Sequence, residues 1–312
     1  MIGGNKLQSN FNIITQNDGH KTKLYHFLCQ DNSKGSVLII HGMTEHHKRY
    51  IPFAKFLNDC GIDVYIYDHR GHGSETEKKD LGYIHDKNGH RLLVDDAHSV
   101  IQYVNANKRT KKLVIMGHSM GSLVLRNVIQ TFDKVNGVII CGTTFPNKIE
   151  TISGLILSSL IQFRYGGKHL SPFFNNILFG RKTYTSLVQN TGFDWLSRNS
   201  MEVNTYINDP YCGFICTISF YRGLLKLAYN ASKKSHMILT RKNLPMFIIA
   251  GSKDPVGNYG KEIKKLISYY KKADYKNITY KLYKDCRHEL LFELNSKDIM
   301  VDISKWMLDI FS

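Results

Sequence analysis

The chain has 312 residues, enough for one large α/β domain with an insertion or for two small domains. Its hydrophobic content of 42% is typical of a globular protein with a substantial core. The formal net charge of +16 arises from dispersed lysines and short lysine runs, which favours a solvated basic surface over attraction to anionic lipid headgroups. No nucleic-acid-binding motif accompanies this charge, so we expect no nucleic-acid partner.

The six cysteines form no C-x-x-C pair, which argues against a disulfide framework and against a zinc site and fits a reducing cytosol. The first residues lack the basic segment and apolar core of a signal peptide. The longest apolar stretch, residues 152–163, is too short to span a bilayer. The sequence therefore predicts a cytoplasmic protein without metal or cofactor. It leaves open peripheral contact with an anionic membrane surface, as well as the oligomeric state.

Two early β-rich runs, residues 12–15 and 23–28, predict an antiparallel hairpin at one edge of a sheet. Later apolar runs are typical of parallel strands covered on both faces. Helical patterns separate them, for example at residues 50–60, 90–105 and 121–132. This alternation predicts a mostly parallel sheet with helices on both sides. The predicted buried strands are residues 37–40, 64–67, 113–116, 138–141, 245–250 and 278–283.

The alternation stops at about residue 146 and resumes with the strand at Pro245. The intervening stretch is apolar and aromatic and contains many helix-compatible positions. We expect it to form a cap over the carboxyl edge of the sheet, where open α/β sheets bind ligands. The predicted organisation is a core of residues 1–145 and 245–312 with a cap of residues 146–244.

The strand at residues 113–116 is followed by Gly117-His118-Ser119-Met120-Gly121 and then by an apolar helical segment. A sharp strand-to-helix turn of the type G-x-S-x-G lifts a serine hydroxyl above the sheet and places it at a helix N-terminus. The two glycines leave room for the crowded backbone of such a turn. The pattern predicts that Ser119 is a catalytic nucleophile rather than part of an ordinary glycine-rich turn.

A serine nucleophile needs a base and a group that orients the base. Asp254 follows the strand at 245–250, and His288 follows the strand at 278–283, so both belong on the same edge as Ser119. We predict that Asp254 is the acid and His288 the base. Asp285 is the alternative acid, but it is too close in sequence to His288 to orient that ring naturally.

The oxyanion of an acyl-transfer intermediate needs two backbone N–H donors. We expect one from Met120, the residue after the nucleophile, and the other from Met43 in the loop that follows the strand at 37–40. The segment Asp68 to Ser74 predicts a structural turn in which Asp68 and Arg70 pair beneath the site. Glu45, His46 and His47 are possible metal ligands, but their adjacent spacing favours a structural role in the loop.

Six sequence blocks together resemble the monoacylglycerol lipase and lysophospholipase branch of the α/β-hydrolase superfamily. They follow one another in the order of that family across nearly the whole chain. One departure is Phe292, where relatives usually have Asn. The blocks are H-G-x-x-E-H-x-x-R-Y at 41–50, D-x-R-G-H-G-S at 68–74, G-H-S-M-G-S at 117–122, N-D-P-x-C-G-F at 208–214, G-x-x-D-P-V-G at 251–257 and R-H-E-x-x-x-E at 287–293.

The resemblance implies an α/β-hydrolase fold, with an eight-stranded, mostly parallel sheet and a helical cap between strands six and seven. It also implies a cytosolic or membrane-associated enzyme that cleaves the ester of a single-acyl-chain lipid. Ser119, Asp254 and His288 fall on the family's triad positions, and Met43 and Met120 fall on its oxyanion positions.

Three other functions are compatible with the same sequence. One is a serine peptidase of the prolyl-aminopeptidase type, which would need a cap carboxylate such as Glu202 or Asp209 to hold the α-amine of a substrate. The others are a generic short-chain esterase and a catalytically silent binding protein on the same scaffold. The intact set of Ser119, Asp254 and His288 argues against the silent protein.

Overall fold

The computed structural model describes residues 10–312 except 31, 181–183, 185, 186, 188 and 189. Its centre is one eight-stranded sheet with the strand order β1-β2-β4-β3-β5-β6-β7-β8. The strands β1 and β2 form an antiparallel edge hairpin, β2 is antiparallel to β4, and all later neighbours are parallel. The strands are β1 Asn10–Thr15, β2 Lys21–Phe27, β3 Gly35–Ile40, β4 Ile62–Tyr67, β5 Leu113–His118, β6 Gly137–Cys141, β7 Met246–Gly251 and β8 Ile278–Tyr283.

The mostly parallel sheet, its edge hairpin and the six later strands are confirmed. Residues of β3 to β7 are buried on both faces of the sheet, which is why these strands are almost continuously apolar. Val37 and Ile39 face one hydrophobic cluster, whereas Leu38 and Ile40 face the other. This alternation follows from the two-residue period of a strand.

Helices cover both faces of the sheet. Within the described residues they are α1 Ile51–Asp59, α2 Gly89–Asn107, α3 Met120–Val128, α4 Lys148–Tyr165, α5 Pro172–Phe179, α6 Ser200–Asn208, α7 Ile218–Ser232, α8 Lys234–Met237, α9 Lys261–Lys272 and α10 Ser296–Phe311. Buried side chains of α1 and α10 contribute to one cluster, and those of α2, α3 and α9 contribute to the other. The helix predicted over 121–132 ends at Val128, after which the chain continues as a turn.

Helices α4 to α8 lie in the chain between β6 and β7, so the alternation of strand and helix is interrupted where the sequence indicates it. Helix α4 packs against α7, and a single bridge joins Leu170 to Thr217. The apolar stretch at 152–163 lies within α4. No helix in the described ranges is both long and apolar enough to cross a membrane.

Candidate active site

Ser119 occupies the turn between β5 and α3 with φ 51° and ψ −118°, a backbone conformation that is unfavourable for a residue with a side chain. Its N–H donates a hydrogen bond of 2.9 Å to the carbonyl oxygen of Cys141 on the neighbouring strand β6. A Cβ atom at Gly121 would lie 2.1 Å from the carbonyl oxygen of Ile40, so only glycine fits there. The tight packing predicted around this turn is confirmed.

Asp254 and His288 meet at the carboxyl edge of the sheet, beyond β7 and β8. The Nδ1 atom of His288 lies 3.1 Å from each carboxylate oxygen of Asp254, and both side chains are buried. A carboxylate oxygen accepts hydrogen bonds, so in this contact Nδ1 of His288 is the donor. Asp285, the alternative acid, is exposed, and it is Asp254 that contacts the ring.

A cavity of about 1460 Å³ opens above this edge of the sheet. Ser119, His288, Met43 and Met120 all line it, while Asp254 lies behind His288. The segment between β6 and β7 contributes an apolar wall of Leu157, Phe174, Phe179, Trp195, Phe214 and Leu224. Polar residues of the same segment, among them Asn147, Glu150, Asn175 and Asn176, also line the cavity. A mostly apolar lining with a few polar groups is common in small-molecule sites.

In the loop that follows β3, His41 fixes the orientation of the peptide between Gly42 and Met43. The N–H of His69 donates to Nε2 of His41 at 3.1 Å, so the proton of His41 lies on Nδ1. That Nδ1 donates to the carbonyl oxygen of Gly42 at 2.7 Å. The N–H of Met43 points away from this carbonyl because the peptide is planar and trans. Burial lowers the pKa of His41, which favours this neutral form.

The model of the family described as serine aminopeptidase S33 (Hydrolase_4) matches residues 31–295. This chain belongs to the S33 family. It is 24% identical to the monoglyceride lipase homolog of Monkeypox virus, with 88% of this chain and 90% of that protein covered. It is also 24% identical to the monoglyceride lipase of Homo sapiens, with 88% and 82% covered.

Solved structures share the α/β fold of this S33 family member along almost its entire length. A lipase in an open form superposes with a TM-score of 0.83 at 22% identity and covers 97% of both chains. A soluble variant of monoglyceride lipase from Saccharomyces cerevisiae, in complex with a substrate analog, superposes with a TM-score of 0.76 at 17% identity and covers 98% of both. At these identities the likeness establishes the fold.

Glu45 is a buried hydrogen-bond acceptor beside the turn that carries Ser119 in this S33 family member. Its Oε1 accepts hydrogen bonds from the N–H of Gly42 at 2.5 Å, from the hydroxyl of Tyr50 at 3.0 Å and from Nδ1 of His118 at 3.1 Å. His118 directly precedes Ser119 in the chain. The Glu45 carboxylate thus joins the loop after β3 to the turn that carries Ser119.

The charge of Glu45 and the charge of His118 stabilise each other. Burial raises the pKa of Glu45, but His118 and Arg49 outweigh burial and hold that pKa well below its ordinary value. Burial lowers the pKa of His118, but the hydrogen bond and charge of Glu45 outweigh it and raise that pKa. We therefore describe the two side chains as a buried ion pair.

Arg49 links Glu45 to the loop that carries His288. Its guanidinium contacts Oε2 of Glu45 at 2.9 Å and both oxygens of Glu289 at 2.6 and 2.7 Å. Its charged carbon lies 4.1 Å from the ring centre of Phe292. Phe292 stands where relatives usually have Asn in this sequence block, and its ring packs against the Arg49 guanidinium.

The predicted pairing of Asp68 with Arg70 is wrong. Asp68 instead accepts hydrogen bonds from the N–H and Nδ1 of His47, whereas Arg70 forms ion pairs with Asp18 and Asp96. Arg70 reaches helix α2 through Asp96. A Cβ at position 73 would collide with the Asp68 carboxylate, so the turn requires glycine there. The turn is structural, but its two charges have separate partners.

Glu45, His46 and His47 have different partners, in agreement with the structural role predicted for them. A different group, His46, Asp209 and Cys212, has one ligand-type atom each within 4.8 Å of one another. However, His46 Nε2 lies 2.9 Å from Asp209 Oδ2, whereas two ligands of a tetrahedral zinc ion at ~2.0–2.1 Å would be separated by about 3.3 Å. We interpret this contact as a histidine–aspartate hydrogen bond between the loop after β3 and the segment that precedes α7.

Proposed function

We propose that this protein is a serine hydrolase that cleaves the carboxylic ester of a single-acyl-chain lipid, either a monoacylglycerol or a lysophospholipid. The observation that carries the proposal is the shared cavity, in which Ser119 and the Asp254-oriented His288 face an apolar wall. The relatives named monoglyceride lipase, and a probable lysophospholipase L2 of Haemophilus influenzae at 22% identity, support an ester substrate of this class.

In the proposed reaction His288 removes the proton of the Ser119 hydroxyl as this oxygen attacks the ester carbonyl. The N–H groups of Met43 and Met120 stabilise the oxyanion. His288 then protonates the leaving glycerol or headgroup, and an ester of Ser119 with the fatty acid remains. Water activated by the same ring hydrolyses this ester, while Asp254 maintains the tautomer of His288 throughout.

An aminopeptidase of this fold would need a carboxylate facing the substrate amine. Neither of the two carboxylates named for that role, Glu202 and Asp209, is among the described residues that line the cavity, whereas Glu150 of α4 does line it, so the role would pass to Glu150. The Asp209 carboxylate is instead bonded to His46. The apolar wall suits an acyl chain, because each buried methylene contributes about 0.8 kcal/mol.

We further infer that residues 146–244 act as the cap and that the cap contacts the membrane through helix α4. One face of α4 exposes Ile149, Ile152, Ile156, Leu160 and Phe163, which recur three or four residues apart, and Phe163 is 92% exposed. The same helix lines the cavity with Ser153, Gly154 and Leu157. An apolar face beside the cavity entrance is suited to taking up a lipid from a bilayer surface. The six free cysteines support a cytoplasmic location.

The proposed function is tested by fatty acid release from monoacylglycerols and lysophosphatidylcholines of several chain lengths, alongside short p-nitrophenyl esters and prolyl-amide peptides. We expect kcat/KM to rise with chain length, and Ser119→Ala to lower kcat by about 10⁴-fold while the fold is retained. The Ser119→Ala variant also serves as the blank for fatty acid release, and its folding is checked by circular dichroism. Turnover by folded Ser119→Ala at the wild-type rate, or cleavage of peptides without lipids, would contradict the proposal.

A further inference from the structure

The loop that supplies the Met43 N–H is held in an unfavourable conformation. Thr44, the next residue, has φ 51°, in the left-handed region that a residue with a branched side chain rarely adopts. Such strain persists only where the surroundings stabilise it. The segment between β6 and β7 supplies these surroundings.

Three hydrogen bonds from this segment converge on Thr44. The hydroxyl of Tyr206 on α6 donates to the Thr44 carbonyl oxygen at 3.0 Å, so it accepts from the Thr44 hydroxyl at 2.9 Å. The N–H of Gly213 donates to the same carbonyl oxygen at 3.1 Å. All of these polar atoms belong to buried or half-buried residues, so the bonds are shielded from competing water.

A fourth bond holds His46, two residues further along the loop. His46 contacts Asp209 at 2.9 Å, and the other oxygen of Asp209 accepts from the N–H of Tyr211 at 2.9 Å. Burial of the Asp209 carboxyl favours a raised pKa, but the bonds from Tyr211 and His46 outweigh burial and lower that pKa, so the carboxylate stays charged. The peptide on the other side of Met43 is already fixed by His41, which means that both neighbours of Met43 are held in place.

From these contacts we propose that Tyr206 and Asp209 are positioning residues for the oxyanion donor of Met43. The segment 206–213 then has a role in the chemical step that is separate from enclosing the acyl chain. Because a donor contributes to catalysis only when it is aimed at the developing oxyanion, relaxation of Thr44 lowers kcat more than it changes substrate binding. The inference rests on the proposed function, since it needs Met43 as an oxyanion donor.

The test compares Tyr206→Phe with Tyr221→Phe. Tyr221 is an equally buried tyrosine of α7 whose hydroxyl donates to Asn175 and contacts neither loop residue, so it reports the general effect of losing a buried hydroxyl. For Tyr206→Phe we expect kcat on a short p-nitrophenyl ester to fall about tenfold, with KM changed less than about twofold. Inhibition by a long-chain alkylboronic acid, whose tetrahedral adduct mimics the oxyanion, should weaken by a similar factor.

For Tyr221→Phe we expect a kcat within about twofold of wild type at a comparable loss of Tm. Equal kcat losses in the two variants, or a wild-type kcat in Tyr206→Phe, would overturn the inference. If Tyr206→Phe does not fold, Asp209→Asn tests the second contact of the segment, the bond between Asp209 and His46. A wild-type kcat in Asp209→Asn would also overturn the inference. Turnover by Ser119→Ala would instead refute the proposed function, so the two failures are distinguishable.

Discussion

A buried glutamate accepts donors from three parts of the chain beneath the proposed nucleophile. Glu45 receives the N–H of Gly42, the hydroxyl of Tyr50 and the imidazole of His118, and Arg49 contacts its second oxygen. A buried carboxylate is stable only when its charge and its lone pairs are matched in this way. The ion pair with His118 is therefore a local determinant of both the stability and the shape of the site.

The His118–Glu45 pair predicts a defined dependence of stability on pH. The pKa of His118 is raised above 6.5, so its contribution is complete below pH 6.5 and is lost as the pH rises through the raised pKa. The pKa of Glu45 is lowered below 4.5, so its contribution is complete above pH 4.5 and is lost as the pH falls through the lowered pKa. The pair is therefore most stabilising between about pH 4.5 and 6.5.

The measurement is the free energy of unfolding of wild type and of His118→Gln by urea titration at several pH values. We expect a difference of about 3 kcal/mol near pH 6 that becomes smaller toward alkaline pH. His26→Gln is the control. Burial lowers the pKa of His26, so the contribution of His26 to the free energy of unfolding changes only below about pH 6.5. A His118→Gln difference that grows from pH 6 to pH 9 would contradict the ion-pair assignment.

At the scale of helices and strands, the sequence predicts contacts between residues that the order of the strands places at the same edge of the sheet. Asp254 and His288 each follow an apolar strand, and the carboxyl ends of parallel strands meet at one edge, so their contact follows from the order of the strands. The bond between Thr44 and Tyr206 joins residues 162 positions apart and has no local signature, because periodicity reports burial but not the partner. Arg70 illustrates the same limit, since its charge was evident in the sequence but its partners were not.

Helix α4 is the element whose surface predicts association with membranes. Replacement of Ile156, Leu160 and Phe163 by serine removes the carboxyl-terminal three of its five exposed apolar side chains, and none of the three lines the cavity. We expect affinity for phosphatidylcholine vesicles to fall about 100-fold, which corresponds to about 1 kcal/mol for each side chain that is partly buried in the interface.

Vesicle sedimentation measures this affinity, and the rate on a soluble short ester should stay at the wild-type value. The matched control replaces Leu239 and Leu294, which are exposed to a similar degree outside α4, by serine. Equal losses of vesicle binding in the two sets would exclude α4 as the contact surface.

At the scale of the whole molecule, the excess of 42 basic over 26 acidic side chains is large enough for a long-range attraction to anionic bilayers, although the dispersed lysines favour a solvated surface. Salt should weaken this attraction, because the Debye length falls from about 10 Å at 0.1 M to about 3 Å at 1 M ionic strength. We expect affinity for vesicles containing phosphatidylserine to fall at least about tenfold over this range, at about 1 kcal/mol for each basic residue near the surface.

Affinity for phosphatidylcholine vesicles should not fall, since that contact depends on α4. The serine variant of α4 should keep the salt dependence while binding more weakly at every salt concentration. Binding to anionic vesicles that does not change with salt would show that the positive charge is only a solvated surface.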